Sequence, residues 1–214
     1  MEKKTPAPEE LDQTAQLIEK AKANKSTIMS IFIIVLVVAI GAVVWYLVAQ
    51  SGSRKADELV ALADQAQNDS IAMTLYADAA NAGYKSGNRA KAELGIRLYR
   101  DGKYEEAVKE LGDCSLDDNI AAAGVKTLEG DCYVNLDQLD KAISCYKSAI
   151  GKADKNPEIV PFVLVKIAHI YHAQGNFGEE AKAYKTILDE YPTYSNGSVD
   201  IRKYYERALA ASGK

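Results

Sequence analysis

Residues 28–49 (IMSIFIIVLVVAIGAVVWYLVA) run for 22 positions without a charge, and no other feature limits the chain so strongly. At 1.5 Å of rise per residue a helix of that length reaches about 33 Å, enough to cross a hydrocarbon core of about 30 Å. A buried helix of a soluble core and a cleaved export signal pass the same first test. The second is disfavoured because the preceding 27 residues carry Glu9, Glu10, Asp12 and Glu19, unlike the short basic start of a removable signal. The run therefore reads as an uncleaved transmembrane anchor in contact with membrane lipid. Trp45 and Tyr46 stand near its far end, where amphipathic rings settle at the interface.

Orientation follows from the flanking basic residues. Lys20, Lys22 and Lys25 precede the span and Arg54 and Lys55 follow it, a bias that holds the amino terminus in the cytoplasm and sends the long domain across. The expected location is the bacterial inner membrane, single-pass, with a periplasmic carboxy-terminal domain. Residues 1–27 form a short tail with Leu11, Leu17 and Ile18 on one short helix. The tail is electrically balanced, so the outer part carries the whole net charge of −4, with no basic patch for nucleic acid or lipid headgroups. Cys114, Cys132 and Cys145 are odd in number and contain no CxxC pair. They read as small buried residues, a Cys132–Cys145 bridge being left open by the spacing.

Beyond a polar linker at residues 50–55, helix-favouring residues dominate and alternating β-branched runs are absent. The domain is expected to be all-α. Self-similarity emerges when Ala107, Ala142 and Ala181 are aligned. Around the first lie Leu94, Gly95, Leu98, Gly102, Tyr104 and Leu111; around the second Gly130, Tyr133, Leu139, Tyr146 and Ala149; around the third Ala168, Tyr171, Gly175, Phe177, Tyr184, Leu188 and Pro192. Small and large residues recur at fixed offsets over two helices, so each small position lets the pair close up while an aromatic fills the space beside it.

This pattern resembles the tetratricopeptide repeat (TPR) family over residues 89–192, as three repeats in an α-solenoid. Residues 56–88 then read as a degenerate first hairpin, with Ser70 as the cap of its second helix and Gly83 as the stop. Residues 193–214 supply a capping helix, Val199 to Ala211, with Ile201, Tyr204, Tyr205 and Leu209 on or near one face. Departures from the family pattern are Glu129 in an apolar position, which suggests a rotated helix, Glu180 where a small residue is expected, and a long connector from Lys152 to Val160.

The order of tail, span, repeats and cap also resembles the YfgM family and single-pass proteins of Bacteroidetes-type bacteria. That resemblance implies association with the Sec translocon (SecYEG) and with a PpiD-like membrane-bound periplasmic chaperone.

No catalytic motif of the GxxxxGK[ST], GxSxG, HExxH or GxGxxG type occurs, and nothing calls for a cofactor or metal. His169 and His172 share a helix face without a carboxylate on that helix. Asn68-Asp69-Ser70-Ile71 matches an Asn-x-Ser acceptor, and it resembles the Asp-Ser/Thr-aliphatic O-glycosylation motif with Ser70 as acceptor; a helix cap needs the same residues. Asn196-Gly197-Ser198 reads as a turn.

Binding is the better expectation. In stacked helix pairs the first helices line one face, and the repeat frame assigns to it Arg89, Ile96, Tyr99 and Arg100, then Asp131 and Val134, then Phe162, Val165, His169 and His172. Ala92 and Ile96 replace the polar residues with which family members clamp a terminal carboxylate. The expected function is a non-enzymatic membrane-anchored adaptor for other envelope proteins, with a self-associating homo-oligomeric organiser of the envelope as the alternative.

Overall fold

The structure is a computed structural model and describes residues 25–82, 84–195 and 200–213. The expected tail helix, the Gly83 stop and the Asn196-Gly197-Ser198 turn lie outside the described residues. The chain divides into two units, Met1–Ser51 and Gly52–Lys214. Among the described residues there are nine helices and no strand: α1 (Lys25–Gln65), α2 (Asp69–Ala82), α3 (Tyr84–Arg100), α4 (Tyr104–Gly112), α5 (Asn119–Asn135), α6 (Leu139–Lys152), α7 (Ile159–Ala173), α8 (Phe177–Glu190) and α9 (Ile201–Ala211).

In the first unit, the apolar side chains of α1 from Met29 to Val48 all stand exposed, as they must if lipid rather than protein is to cover them. This helix is long and apolar enough to cross a membrane. Residues 50–55, expected as a linker, are helical instead. They contain no proline, one glycine costs a helix only about 1 kcal/mol relative to alanine, and the Ser51 hydroxyl donates to the Val48 carbonyl at 2.8 Å, so nothing here stops the helix.

In the second unit, successive helices pack in pairs. α2 packs on α3 and the end of α1 joins their core through Val60 and Ala63, α3/α4, α5/α6 and α7/α8 are the three repeats, and α9 covers α8. The all-α tetratricopeptide-type solenoid expected from the repeat pattern is thus the observed fold. Each repeat places its small residue against a large one sixteen positions on: Gly95 against Leu111, Gly130 against Tyr146, and Ala168 with Tyr184, all buried. Each first helix ends the same way. Gly102, Asp137 and Gly175 take left-handed φ values of 75°, 57° and 69°. The following amides of Lys103, Gln138 and Asn176 then bond back to the carbonyls of Leu98, Tyr133 and Tyr171. Glycine adopts that conformation freely and aspartate tolerates it, which is why these two residue types mark the turns.

Two sequence expectations change. Asn68 rather than Ser70 caps α2, its Oδ1 accepting the amides of Ser70 at 2.9 Å and Ile71 at 3.4 Å, while Ser70 sits exposed in the first turn. Helix α5 is not rotated, since Gly130 keeps its place against Tyr146; Glu129 is buried and paired with Lys126 at 2.6 Å. In the third repeat Glu180 stands, as the spacing indicates, in the place of Ala107 and Ala142, twelve residues after the small position of the first helix.

Glu180 is wholly buried, and its carboxylate accepts from Arg207 of α9 at 2.6 Å and lies 2.9 Å from His172 Nδ1. Beside it, the buried Tyr184 hydroxyl has no hydrogen-bond partner among the described residues. A buried hydroxyl without a partner costs about 1–3 kcal/mol of desolvation. Tyr184→Phe is therefore expected to stabilise the domain by about 1 kcal/mol, raising Tm by roughly 2–4 °C for a domain of this size. A thermal melt followed by circular dichroism would check it, and a lower Tm would show that the hydroxyl is satisfied in solution.

Candidate functional site

The first helices of the repeats, α3, α5 and α7, present a common face that carries two recesses. The larger, about 650 Å³, lies between the amino-terminal halves of α3 and α5. Its walls are Ala92 and Ile96 from α3, Ala121, Gly124, Val125 and Leu128 from α5, and Leu116 from the loop before α5. The sequence sets its depth: an added Cβ at Gly124 would meet nothing within 4 Å, and Ala92 and Ala121 project only a methyl group. Three of the charged side chains at its edge have partners within the chain. Arg89 pairs with Asp64 at 2.8 Å, Glu93 with Arg97 at 2.9 Å, and Asp118 caps α5 by accepting the Ala121 amide at 2.7 Å.

One helical turn further along α3 and α5 lies the smaller recess, about 340 Å³, which is more polar. Tyr99, Asp131, Val134, Asn135, Tyr146, Lys166 and His169 line it. Asp131 is its organising group: it accepts the Tyr146 hydroxyl at 2.5 Å and pairs with Lys166 at 2.9 Å. The Lys166 ammonium in turn sits 5.0 Å over the ring of Phe162, close enough for a cation–π attraction. Burial, reinforced by the bond to Asp131, pushes the Tyr146 phenol far above the usual tyrosine range. Burial lowers the His169 imidazole below the usual histidine value, which disfavours its charged form.

Six of the ten residues assigned from the repeat frame line these recesses: Arg89 and Ile96 the larger, Tyr99, Asp131, Val134 and His169 the smaller. Phe162 is 46 % exposed beneath Lys166, and Arg100 is exposed at the end of α3, one residue beyond Tyr99. Two assignments are corrected. Val165 is buried in the core with Ala168 and Tyr184, and His172 turns away toward Glu180, Arg207 and the ring of Phe177, because one residue at the wrong helical angle changes face. Sequence reasoning missed Ala121, Gly124, Leu128 and Lys166. Three- and four-residue steps back from Asp131 reach the first three, and Lys166 lies four residues after Phe162.

The three thiols are free. Burial pushes Cys132 up to about 12 and Cys145 up to about 11, which leaves them protonated and poor nucleophiles at pH 7.

Paired helices with a constant small-to-large offset, a shared left-handed turn and a face built by the first helices define a tetratricopeptide-type fold. Solved structures agree on the fold. The chain is similar to the MamA protein (17 % identity, TM-score 0.53, covering 78 % of this chain and 83 % of that one) and to BtubC from P. vanneervenii (16 %, 0.55, 77 % and 83 %). A second MamA structure matches at 18 % identity with a TM-score of 0.50, covering 67 % and 88 %. No family profile matches the chain.

Proposed function

We propose that this protein is a membrane-anchored adaptor that docks segments of other envelope proteins on the face built by α3, α5 and α7. The observation that carries this reading is the pair of contiguous recesses on that face, apolar at one end and polar at the other, in a chain that also holds a helix apolar enough to span a membrane. Apolar contacts in such a surface give affinity and the polar end gives orientation. The anchor confines the search to the membrane plane, raising the effective concentration near a membrane-bound partner. Basic residues before the span favour a periplasmic domain. Together with the resemblance to YfgM, this points to the Sec translocon, a PpiD-like folding factor or emerging exported chains as partners.

In-cell photo-crosslinking from Tyr99, Val134 and Phe162, with mass spectrometry of the captured species, tests the reading. Capture of translocon subunits, folding factors or exported chains is the expected result. Capture of this chain alone would favour a self-associating organiser, and capture of cytosolic proteins would overturn the topology.

A further inference from the structure

Building on the adaptor reading, we infer that the larger recess takes an amphipathic α-helix rather than an extended peptide. Its three apolar anchors sit between α3 and α5, and an acidic residue one turn further on meets Arg100.

Hydrogen bonds separate the two kinds of ligand. A segment laid in an apolar recess must satisfy its own backbone N–H and C=O groups, since each one buried without a partner is costly. The recess offers few partners. The walls formed by Ala92, Ile96, Ala121, Gly124, Val125 and Leu128 are carbon, the polar groups of Ser115 and Asp117 come only from the loop before α5, the backbones of α3 and α5 are bonded within their own helices, and the Asn88 side-chain oxygen at the edge already accepts the Ser115 amide at 3.2 Å. An extended peptide would leave a row of orphan groups there. A helix leaves none along its contact face.

Size and surface agree. From Asn88 to Ile96 the recess follows about 12 Å of α3, which is two helical turns and therefore three anchors at i, i+3 or i+4, and i+7. Ala121 and Gly124, at i and i+3 on α5, project almost nothing, so a partner helix can approach to the 8–10 Å at which helices pack. Charge completes the pattern. Arg89 and Glu93 at the recess are neutralised within the chain, so a charge carried against its floor would be desolvated without a partner. Arg100, one turn beyond Ile96 along α3, is exposed and has no ionic partner among the described residues. The complement is an apolar stripe followed by a carboxylate.

The test uses the full chain in detergent and fluorescent 16-residue amphipathic peptides. One peptide carries three leucines at helical spacing and a glutamate one turn later, a second has a central proline, and a third replaces the glutamate by lysine. Anisotropy is expected to show binding of the first and loss of at least about tenfold with the proline peptide, which cannot form the helix. Gly124→Leu, which fills the recess without a clash, should weaken binding by at least about tenfold at unchanged Tm. Arg100→Glu should weaken the glutamate peptide about two- to fivefold and improve the lysine peptide similarly, as befits one exposed ion pair.

Equal binding of the proline peptide, or indifference to Gly124→Leu, overturns the inference. If crosslinking captures a partner on this face and the helical peptide does not bind, this inference alone falls. Should the peptide bind while crosslinking captures nothing, the adaptor reading falls and the helix site stands.

Discussion

Leucine at Gly130 is expected to destabilise the repeat domain by about 3 kcal/mol or more, while leucine at Gly124, on the same helix, leaves its stability unchanged or slightly raised. The two glycines differ only in what faces them. A Cβ on Gly130 would come within 2.4 Å of Tyr146 Cε1 and 2.6 Å of its Cδ1, closer than carbon atoms can approach. Tyr146 cannot move aside, because it is buried and its hydroxyl is held by Asp131, which also holds Lys166. The strain would reach α7 through that same network, and the smaller recess with it. At Gly124 the new side chain enters open space, and a helix gains up to about 1 kcal/mol when a better former replaces glycine. Thermal melts of the two variants check the contrast: Gly130→Leu should lose roughly 6–12 °C. Equal melting temperatures would mean that α5 and α6 do not approach as closely as described.

The second large effect is expected at the other end of the array. Arg207→Ala should cost about 3 kcal/mol, because it strips a wholly buried carboxylate, Glu180, of its cation. Breaking such a pair from one side leaves a buried charge with only the His172 imidazole beside it, whereas removing both sides does not. The double variant Glu180→Ala with Arg207→Ala should therefore regain about half or more of the loss, since alanine is what the first two repeats hold at this position. Hydrogen exchange should locate the defect, with amides of α9 exchanging faster in Arg207→Ala and near wild-type rates returning in the double variant. If the double variant is the less stable of the two, the pair is not the latch that holds α9 on α8.

Much of the fold was legible because its determinants are periodic. The apolar run needs no partner to be recognised, and the sixteen-residue offset between small and large residues repeats three times over Gly95, Gly130 and Ala168. The turn residues Gly102, Asp137 and Gly175 declare themselves by type, because the left-handed backbone restricts what can stand there. The departures were legible as departures but not in their resolution. Glu180 stood out as a charge in a small-residue position, yet its partner lies twenty-seven residues away on another helix, and no spacing rule connects them. Residues 50–55 looked like a linker by composition, since serine, glutamine and lysine serve linkers and helices alike.

The candidate site divides along the same line. A helical register predicts which residues share a stripe to within a turn, which was enough to place Ile96, Tyr99, Asp131 and His169 on the lined face. It does not predict the angle at which neighbouring helices pack, and so Val165 went into the core and His172 turned to Glu180. By itself the sequence determined an all-helical repeat array and an apolar helix of membrane-spanning length, because both rest on local periodicity and hydropathy. Only the tertiary structure decided where the open volume lies, which charges are already neutralised, and which carboxylate is buried, because those depend on side chains brought together from different helices.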